Sequence, residues 1–417
     1  MVLGFGAFQL LIPESAGVSV DAADENGADV VEDPTNADED VVIVETNEWT
    51  TQGRLGEADF TYAGSFAAPL DGDVEEFGFG GATIAYNPAG EGSLFISGFP
   101  KNTSVAEISI PDPAPHDGSR TDLVTSVVLQ PFADITAGRG ESFIGSTERG
   151  GQNDFRIGGL EVVDGPGGTR LHWTAYQEQN LVFNDVPGHG HSSLDLADPD
   201  VAGPWFLDGF RADETAGYLF DVPTDYADSF LSGDVFVSGF QQVPRTTFTS
   251  QGPSFFAFSP PAEGAAESRL TATELTNYRF DEQESSSFDE ESLIPGADWA
   301  STSDGRHAIV AIGNTQPWDF SLTCTLADEV VFEDGPQIAL YDPLDLAAVA
   351  TGDLAPFDVE PYEIFSIEDD LIPACGTQIS GAAFDAENGR LFISQLRVTA
   401  NEQGFDARPV IHVFNVG

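Results

Sequence analysis

Short runs of alternating apolar and polar residues recur along most of the chain, separated by glycine, proline and asparagine. The run Ser380–Ser394 (SGAAFDAENGRLFIS) shows the unit most clearly: a strand of small residues, an Asn-Gly turn and a second alternating strand. This pattern is typical of a β-hairpin. Looser forms of the same run occur earlier in the chain, and recurrence at a long period indicates a radial or stacked array of similar sheets.

Each copy predicts the same series of strands in the same order. The predicted opening strands are Gly80–Asn87, Gly158–Asp164, Ala216–Val222, Gly296–Thr302 and Ser380–Ala386. The second strands are Ser93–Gly98, Arg170–Tyr176, Gly233–Gly239, Arg306–Gly313 and Arg390–Gln395. The third strands are Val105–Ile110, His191–Leu196, Ser254–Ser259, Gln337–Tyr341 and Val410–Asn415. A fourth strand precedes the next copy, at Val127–Asp134, Pro204–Phe210, Thr271–Phe280 and Pro361–Ile367.

The last copy lacks a fourth strand, and an unused strand is available near the other end of the chain. Phe60–Ala67 (FTYAGSFA) precedes the first copy and completes the last one if the array closes into a ring. Such closure removes the free sheet edges. The sequence therefore predicts an all-β fold: a single five-bladed β-propeller of four-stranded blades over residues 58–417, closed by an N-terminal strand. A two-sheet sandwich does not explain the complementary ends.

Residues 1–57 have a different composition. Val2–Ile12 is apolar but has no basic residue near it, which fits at best a clipped secretion signal. Val18–Glu45 is acidic and lacks aromatic residues, so we predict that 1–57 is a disordered acidic segment. Helical periodicity is nearly absent from the chain, with one short helix predicted at Asp342–Thr351.

The predicted loops differ in length between the two faces of the ring. Those that enter each blade and those between second and third strands share one face of the ring, and function concentrates on such loops. We call this the loop-rich face; its segments are Ile135–Phe155, Gln177–Gly190, Phe240–Pro253, Asp281–Pro295, Asn314–Pro336 and Leu396–Arg408.

The charge balance of the 417 residues is strongly acidic, with 70 Asp and Glu against 15 Lys and Arg. Nucleic acid is excluded as a partner because its binding depends on neutralising phosphates. The charge favours a solvated surface adapted to high salt, with a cation-binding surface as the alternative. No cofactor motif is present, no metal site is predicted, and calcium is not supported by the spaced carboxylates of a calcium loop. No segment is long enough to span a membrane, and we expect a monomer.

Cys324 and Cys375 are the two cysteines. The predicted ring places both in loops of one face in adjacent blades, so a disulfide between them is expected, with two buried free thiols as the alternative. A disulfide would place the protein outside the reducing cytoplasm, in an extracellular or periplasmic location.

Two carboxylates are the candidate catalytic residues. Glu161 and Asp298 stand two positions after aligned glycines of the opening strands, which places both near the axis of the ring. Glycoside hydrolases use such a pair as general acid and as base or nucleophile. The alternative is that both line the axis and bind water or neighbouring backbone amides.

Candidate ligand-binding residues come from the predicted loops. Arg156 and Arg211 directly precede opening strands and suit a carboxylated or sulfated ligand, although pairing with neighbouring carboxylates is the alternative. His189 and His191 (GHGHS, 188–192) are predicted on a flexible loop, as a base or metal ligands. Trp318 is a candidate for stacking on a sugar ring.

A further group of arginines suggests a structural role. Arg170, Arg306 and Arg390 occupy equivalent places just after the first hairpin turn of their copies, which predicts pairing between blades.

Several segments carry a family resemblance. GGATIAYNPAGEGSLFISGF (80–99), VAEISIP (105–111), LQPF (129–132), RIGGL (156–160) and GRLFISQ (389–395) resemble uncharacterised secreted bacterial propeller proteins. The resemblance covers most of the predicted ring and implies the propeller fold and secretion, without implying an activity.

Two functions of different classes follow. The first is an extracytoplasmic ligand-binding or interaction propeller of a salt-adapted organism, with a polysaccharide or a surface protein as partner. The alternative is a carbohydrate-active enzyme, a glycoside hydrolase or a polysaccharide lyase, acting at the loop-rich face. A propeller fold does not by itself separate these functions.

Overall fold

The computed structural model describes residues 49, 53–69, 74–100, 102–119, 122–139, 155–165, 167–177, 185–240, 250–261, 267–278, 285–288, 292–314, 335–373, 378–399 and 407–417. Its strands form five sheets, and these sheets are the five blades of a β-propeller. The predicted fold class is confirmed.

The strands of each blade follow one another from the axis outward. Blade 1 contains β2 (Ile84–Asn87), β3 (Ser93–Ser97), β4 (Ser104–Ser109) and β5 (Val128–Asp134). Blade 2 contains β6 (Phe155–Gly165), β7 (Gly168–Gln177), β8 (His189–Ser192) and β9 (Ala202–Leu207). Blade 3 contains β10 (Tyr218–Asp221), β11 (Phe236–Gly239), β12 (Phe255–Phe258) and β14 (Ala272–Thr276). Blade 4 contains β15 (Leu293–Ser301), β16 (His307–Asn314), β17 (Pro336–Tyr341) and β18 (Glu363–Ser366). Blade 5 contains β19 (Gln378–Asp385), β20 (Arg390–Thr399), β21 (Arg408–Val416) and β1 (Phe60–Ala67).

Strand β1 pairs antiparallel with β21, from Phe60 opposite Val416 to Ala67 opposite Val410. The strand from one end of the ring thus completes the blade at the other end. The innermost strands also form a closed circuit, because β2 contacts β6, β6 contacts β10, β10 contacts β15, β15 contacts β19 and β19 contacts β2.

The hydrophobic core is divided among the blade interfaces. Alternate side chains of a strand point to opposite faces of its sheet, so each blade buries both faces against its neighbours. Five clusters of buried residues fill the five interfaces. Representative pairs, one from each interface, are Phe95 with Trp173, Trp205 with Phe256, Phe220 with Trp299, Val310 with Ile393, and Phe392 with Ile96.

The recurrent glycines of the opening strands are explained by the spacing of the innermost strands. A Cβ on Gly159 would lie 2.5 Å from the backbone nitrogen of Leu219 in blade 3. A Cβ on Gly296 would lie 2.4 Å from the carbonyl oxygen of Ser380 in blade 5. Real Cβ atoms do not approach backbone this closely, so glycine permits adjacent innermost strands to meet backbone to backbone.

The helices are short and lie in connections. They are α1 (Val74–Phe79), α2 (Ala212–Thr215), α3 (Thr224–Phe230) and α4 (Pro343–Thr351), with 3-10 helices at Glu57–Asp59, Pro356–Asp358 and Glu368–Asp370. Helix α4 confirms the predicted helix, and Asp342 caps it by accepting a hydrogen bond from the N–H of Leu344. The prediction did not contain α1, α2 or α3. It also lacked β13 (Arg269–Leu270), which adds a parallel strand to the outer edge of blade 2.

Part of the predicted N-terminal segment packs on the ring. The compact unit that contains the propeller begins at Thr46. Trp49 is 5% exposed and its ring lies 5.9 Å from that of Trp299 and 4.9 Å from that of His307. Leu55 donates a backbone hydrogen bond to the carbonyl of His307 at 3.3 Å. The predicted disorder before this point falls outside the described residues.

The arginines that follow the first hairpin turns pair mostly within their own blades. Arg390 binds Asp385 of the same hairpin, and Arg170 binds Asp200 of the same blade. Arg306 pairs with Asp304 of its own hairpin and, alone of the three, also reaches beyond its blade, to Asp59 in the 3-10 helix that precedes β1. The prediction of pairing between blades is therefore wrong for two of the three, because a carboxylate lies nearer within the same sheet.

No helix in the described ranges is long and apolar enough to cross a membrane.

Candidate functional site

The two predicted acidic residues lie on innermost strands, Glu161 on β6 of blade 2 and Asp298 on β15 of blade 4. Glu161 Oε1 accepts a hydrogen bond from the N–H of Val162 at 3.0 Å. Asp298 accepts two, from the N–H of Trp299 and from that of Phe384, both at 2.6 Å. Because Phe384 belongs to β19, Asp298 joins the innermost strands of blades 4 and 5.

A third carboxyl, that of Asp221, raises the pKa of both Glu161 and Asp298. Asp221 ends β10 in blade 3, the blade between those of Glu161 and Asp298. Burial, followed by the charges of Asp298 and Asp221, raises the pKa of Glu161 well above its usual range. Burial and then the charge of Asp221 raise the pKa of Asp298, while burial raises that of Asp221 to about 6. Three carboxyls that repel one another in this way do not all ionise at neutral pH.

The two predicted carboxyls differ in the hydrogen bonds that they accept. Two amide donors stabilise the charged form of Asp298, whereas one amide stabilises that of Glu161. The pKa of each carboxyl is raised by burial, and the hydrogen bonds oppose this rise more strongly for Asp298 than for Glu161. Glu161 is partly exposed to solvent, as expected for a side chain beside the axis of the ring. Asp298 is only 6% exposed.

Asp221 was missed by the sequence analysis. The signal was available, since Asp221 stands four residues after the aligned Gly217 just as Asp385 stands four after Gly381. The register alone does not show that the two aspartates differ. Asp385 is paired with Arg390, whereas Asp221 has no ion pair among the described residues.

A β-bulge brings Arg156 to the side of the strand that carries Glu161. In β6 the pairing with β7 shifts between Ile157 and Gly159, so Gly158 is an extra residue. The extra residue reverses the alternation, and Arg156 and Glu161 then share one face of the strand. Arg156 is the second residue of β6 and is half-buried.

Arg211 lies elsewhere, at the start of α2. Its Nε donates to Asp213 Oδ1 at 2.8 Å, and its Nη2 lies 3.6 Å from Glu214 Oε1. These contacts are the local pairing that the sequence analysis gave as the alternative to ligand binding.

His189 and His191 are on strand β8 and not on a flexible loop, so that part of the prediction is wrong. They are 2% and 5% exposed. His189 Nε2 lies 3.0 Å from Ser238 Oγ of blade 3, and the ring of His191 lies 5.0 Å from that of His172. Burial lowers the pKa of His189 to about 3 and also lowers that of His191, so both are neutral at pH 7.

Gly188 and Gly190 explain why a flexible loop was predicted where the structure has a strand. A Cβ on Gly190 would lie 2.4 Å from the ring of Trp173. Glycine here makes room for a buried tryptophan in the neighbouring strand, whereas sequence analysis interprets Gly188 and Gly190 as loop signals.

Trp318, Cys324 and Cys375 lie outside the described residues, as do most of the segments of the loop-rich face. Stacking by Trp318 and the disulfide between the cysteines therefore remain predictions. Among the residues that the structure describes, no group of three or more His, Cys, Asp or Glu is placed to hold a metal ion.

The chain belongs to the class of five-bladed β-propellers by its sheet topology. No protein-family model and no curated protein matches its sequence. Among solved structures it is similar to a Bifidobacterium bifidum protein provisionally described as an exo-β-1,3-galactanase, with 10% identity, a TM-score of 0.40 and coverage of 86% of this chain and 94% of that one. It is also similar to an endo-arabinase from Bacteroides thetaiotaomicron, with 13% identity, a TM-score of 0.38 and coverage of 83% and 96%. A third is a member of the DUF4221 family from Bacteroides vulgatus, with 9% identity, a TM-score of 0.32 and coverage of 88% and 99%. At these identities and TM-scores no activity is transferred to this chain.

Proposed function

We propose that the protein is an extracytoplasmic ligand-binding propeller of a salt-adapted organism, with its ligand at the axial end of the loop-rich face. The observation that carries the proposal is the common face of Arg156 and Glu161 on β6. A guanidinium and a protonated carboxyl on one face of an innermost strand offer donors to the hydroxyl and carboxylate oxygens of a carbohydrate.

The composition supports the proposed environment. With 70 acidic and 15 basic residues, self-repulsion is strong in dilute buffer and is screened by salt. A disulfide between Cys324 and Cys375 would support a location outside the cytoplasm.

Glycoside hydrolysis is the second candidate, favoured by the unequal environments of the two carboxyls. Glu161 would protonate the glycosidic oxygen as general acid, while Asp298, in its charged form, would activate water or attack the anomeric carbon. The low exposure of Asp298 and its bond to Phe384 oppose this role. A lyase that uses His189 or His191 as base finds no support, because both are buried.

One experiment separates these functions. Purified protein in molar potassium chloride is incubated with polygalacturonate, chondroitin sulfate and laminarin, and binding, new reducing ends and the absorbance of unsaturated uronates are followed. The binding function predicts retention of at least one polymer without products, both in Asp298→Asn and in Glu161→Gln, whose amide still donates a hydrogen bond. New reducing ends that disappear in both variants, while binding persists, would establish hydrolysis instead. If folded protein neither binds nor cleaves any of the three polymers, carbohydrate binding is wrong.

A further inference from the structure

Two of the six histidines form no hydrogen bond among the residues that the structure describes, and these two are neighbours. They are His172 on β7 and His191 on β8 of blade 2. A ring nitrogen of each of the other four, His116, His189, His307 and His412, lies within hydrogen-bond distance of Asp370 O, Ser238 Oγ, Gly305 O and Gln395 Oε1 respectively. The pair His172 and His191 therefore differs from every other histidine of the chain.

The strand register places the two imidazoles side by side. His172 lies directly opposite His191 in the antiparallel pair of β7 and β8. Residues directly opposite each other project from the same face of a sheet. The ring of Phe236 in blade 3 lies 4.4 Å from that of His172, so the pair is on the face of blade 2 that meets blade 3.

The separation of the rings suits a shared metal ion. At about 2.1 Å from each nitrogen and an angle of about 90–110° at the ion, two imidazoles that bind one ion have ring centres about 4.5–5.3 Å apart. The ring centres of His172 and His191 are 5.0 Å apart. The backbone thus holds both rings at the spacing that an ion between them requires.

His191 has a buried nitrogen without a partner. The residue is 5% exposed, and its Nδ1 has no hydrogen-bond partner among the described residues. Buried polar atoms are nearly always bonded, and an exception indicates a partner such as water or an ion. His172 is half-buried, so solvent can reach the pair.

Both imidazoles are in the form that binds metal ions, since a metal ion binds neutral imidazole. Burial, followed by the charge of His191, lowers the pKa of His172 to about 3. Burial also lowers the pKa of His191. At pH 7 no proton has to be displaced from either ring.

The charges around the pair are compatible with a bound cation. Arg170 is the nearby positive group, and its Nη2 donates to Asp200 Oδ2 at 3.1 Å, which compensates its charge locally. On the other side, Glu161 lies directly opposite His172 in the pair of β6 and β7. One row of side chains thus crosses blade 2 from the carboxyl of Glu161 near the axis to His172 and then His191.

We propose that His172 and His191 form a binding site for one divalent transition-metal ion that prefers imidazole nitrogen, such as Cu²⁺ or Zn²⁺. Solvent completes the coordination, since no group of three or more His, Cys, Asp or Glu in the described ranges is placed on one ion. Imidazole ligands select against Ca²⁺ and Mg²⁺, which bind oxygen. The site is independent of the carbohydrate ligand proposed above.

Cu²⁺ tests the site directly, because electron spin echo modulation counts the imidazoles bound to it. One equivalent of Cu²⁺ is added to the protein in molar potassium chloride. We expect two bound imidazoles in the wild type and one in His172→Gln and in His191→Gln, with at least about tenfold weaker Cu²⁺ binding in competition with glycine. His116→Gln is the matched control and should retain both imidazoles and the affinity.

A measurement on the wild type alone covers the case in which a variant does not fold. The six histidines are labelled with ¹⁵N, and their ring signals are followed as Zn²⁺ is added. We expect the signals of two rings to shift together and to saturate at one equivalent. Unmoved histidine signals, or Cu²⁺ bound through oxygen alone, would overturn the site. A shift of one ring or of more than two, or two imidazoles retained in folded His172→Gln or His191→Gln, would overturn its assignment to this pair.

Discussion

Two aspartates at equivalent positions of the ring are expected to affect stability in opposite directions. Asp221 ends β10 and pairs across the sheet with Phe236, whereas Asp385 ends β19 and pairs with Arg390. Arg390 Nε and Nη2 donate to Asp385 Oδ2 at 2.9 and 2.6 Å. Each ends the innermost strand of its blade, but the residue opposite Asp221 is aromatic and the residue opposite Asp385 is an arginine.

The pKa of Asp221 sets the size of the effect. Burial raises it from 3.8 to about 6. Because the folded state binds the proton more tightly than the unfolded state, the resulting stability is complete below pH ~4 and is lost as the pH rises through about 6. A shift of about two units corresponds to about 3 kcal/mol at pH 7. The charge of Asp221 also raises the pKa of Glu161 and that of Asp298, so removing it acts on all three carboxyls.

Asp221→Asn removes the ionisable group and keeps a similar shape. We expect its free energy of unfolding to exceed that of the wild type by about 1–3 kcal/mol at pH 7 and to equal it near pH 4. The measurement is urea unfolding at several pH values and constant salt, since urea leaves the ionic strength unchanged. Asp385→Asn should instead lower stability by about 3 kcal/mol at pH 7, because it leaves the charge of Arg390 without its partner. Equal or lower stability of Asp221→Asn at pH 7, or a gain that persists unchanged at pH 4, would refute the reasoning.

Three further predictions concern residues buried in the ring. Gly159→Ala should destabilise by about 3 kcal/mol or more, since its Cβ would lie 2.5 Å from the backbone of blade 3, while Gly167→Ala, with open space around it, should be neutral in the same urea titration. Trp49→Ala should cost about 3–5 kcal/mol through loss of its buried ring, and an unchanged thermal midpoint would show that this residue does not anchor the N-terminal segment. His412 has a pKa lowered by burial to about 3, so it contributes stability above pH ~6.5 that is lost as the pH falls. His412→Gln should therefore reduce the loss of stability between pH 6.5 and 4 by about 3 kcal/mol, and an identical acid profile would contradict that pKa.

The architecture was largely predictable because it depends on local patterns. Alternation of apolar and polar residues marks a strand wherever it lies in the chain, and a repeated pattern marks a repeated sheet. Phe60–Ala67, predicted as the closing strand, is β1 with the same boundaries. The helix at 343–351 was also recognisable, from an Asp-Pro start that local chemistry explains.

The candidate site was less predictable because its properties arise between blades. The sequence predicted Glu161 and Asp298 near the axis, but the pKa of each also depends on the charge of Asp221, which belongs to a third blade. It also gave no reason to separate Arg156 from Arg211, whose different surroundings follow from a bulge in one strand and a helix start in the other.

By itself, the sequence determined the number of blades, the order of the strands and the acidic charge balance of the chain, since each is a property of neighbouring residues or of composition. Only the tertiary structure decided that His189 and His191 are buried, and that Asp385 is paired with Arg390 whereas Asp221 lies opposite Phe236. The physical reason is distance along the chain. Burial and charge interactions depend on which remote strands meet around the axis, and no local pattern records those contacts.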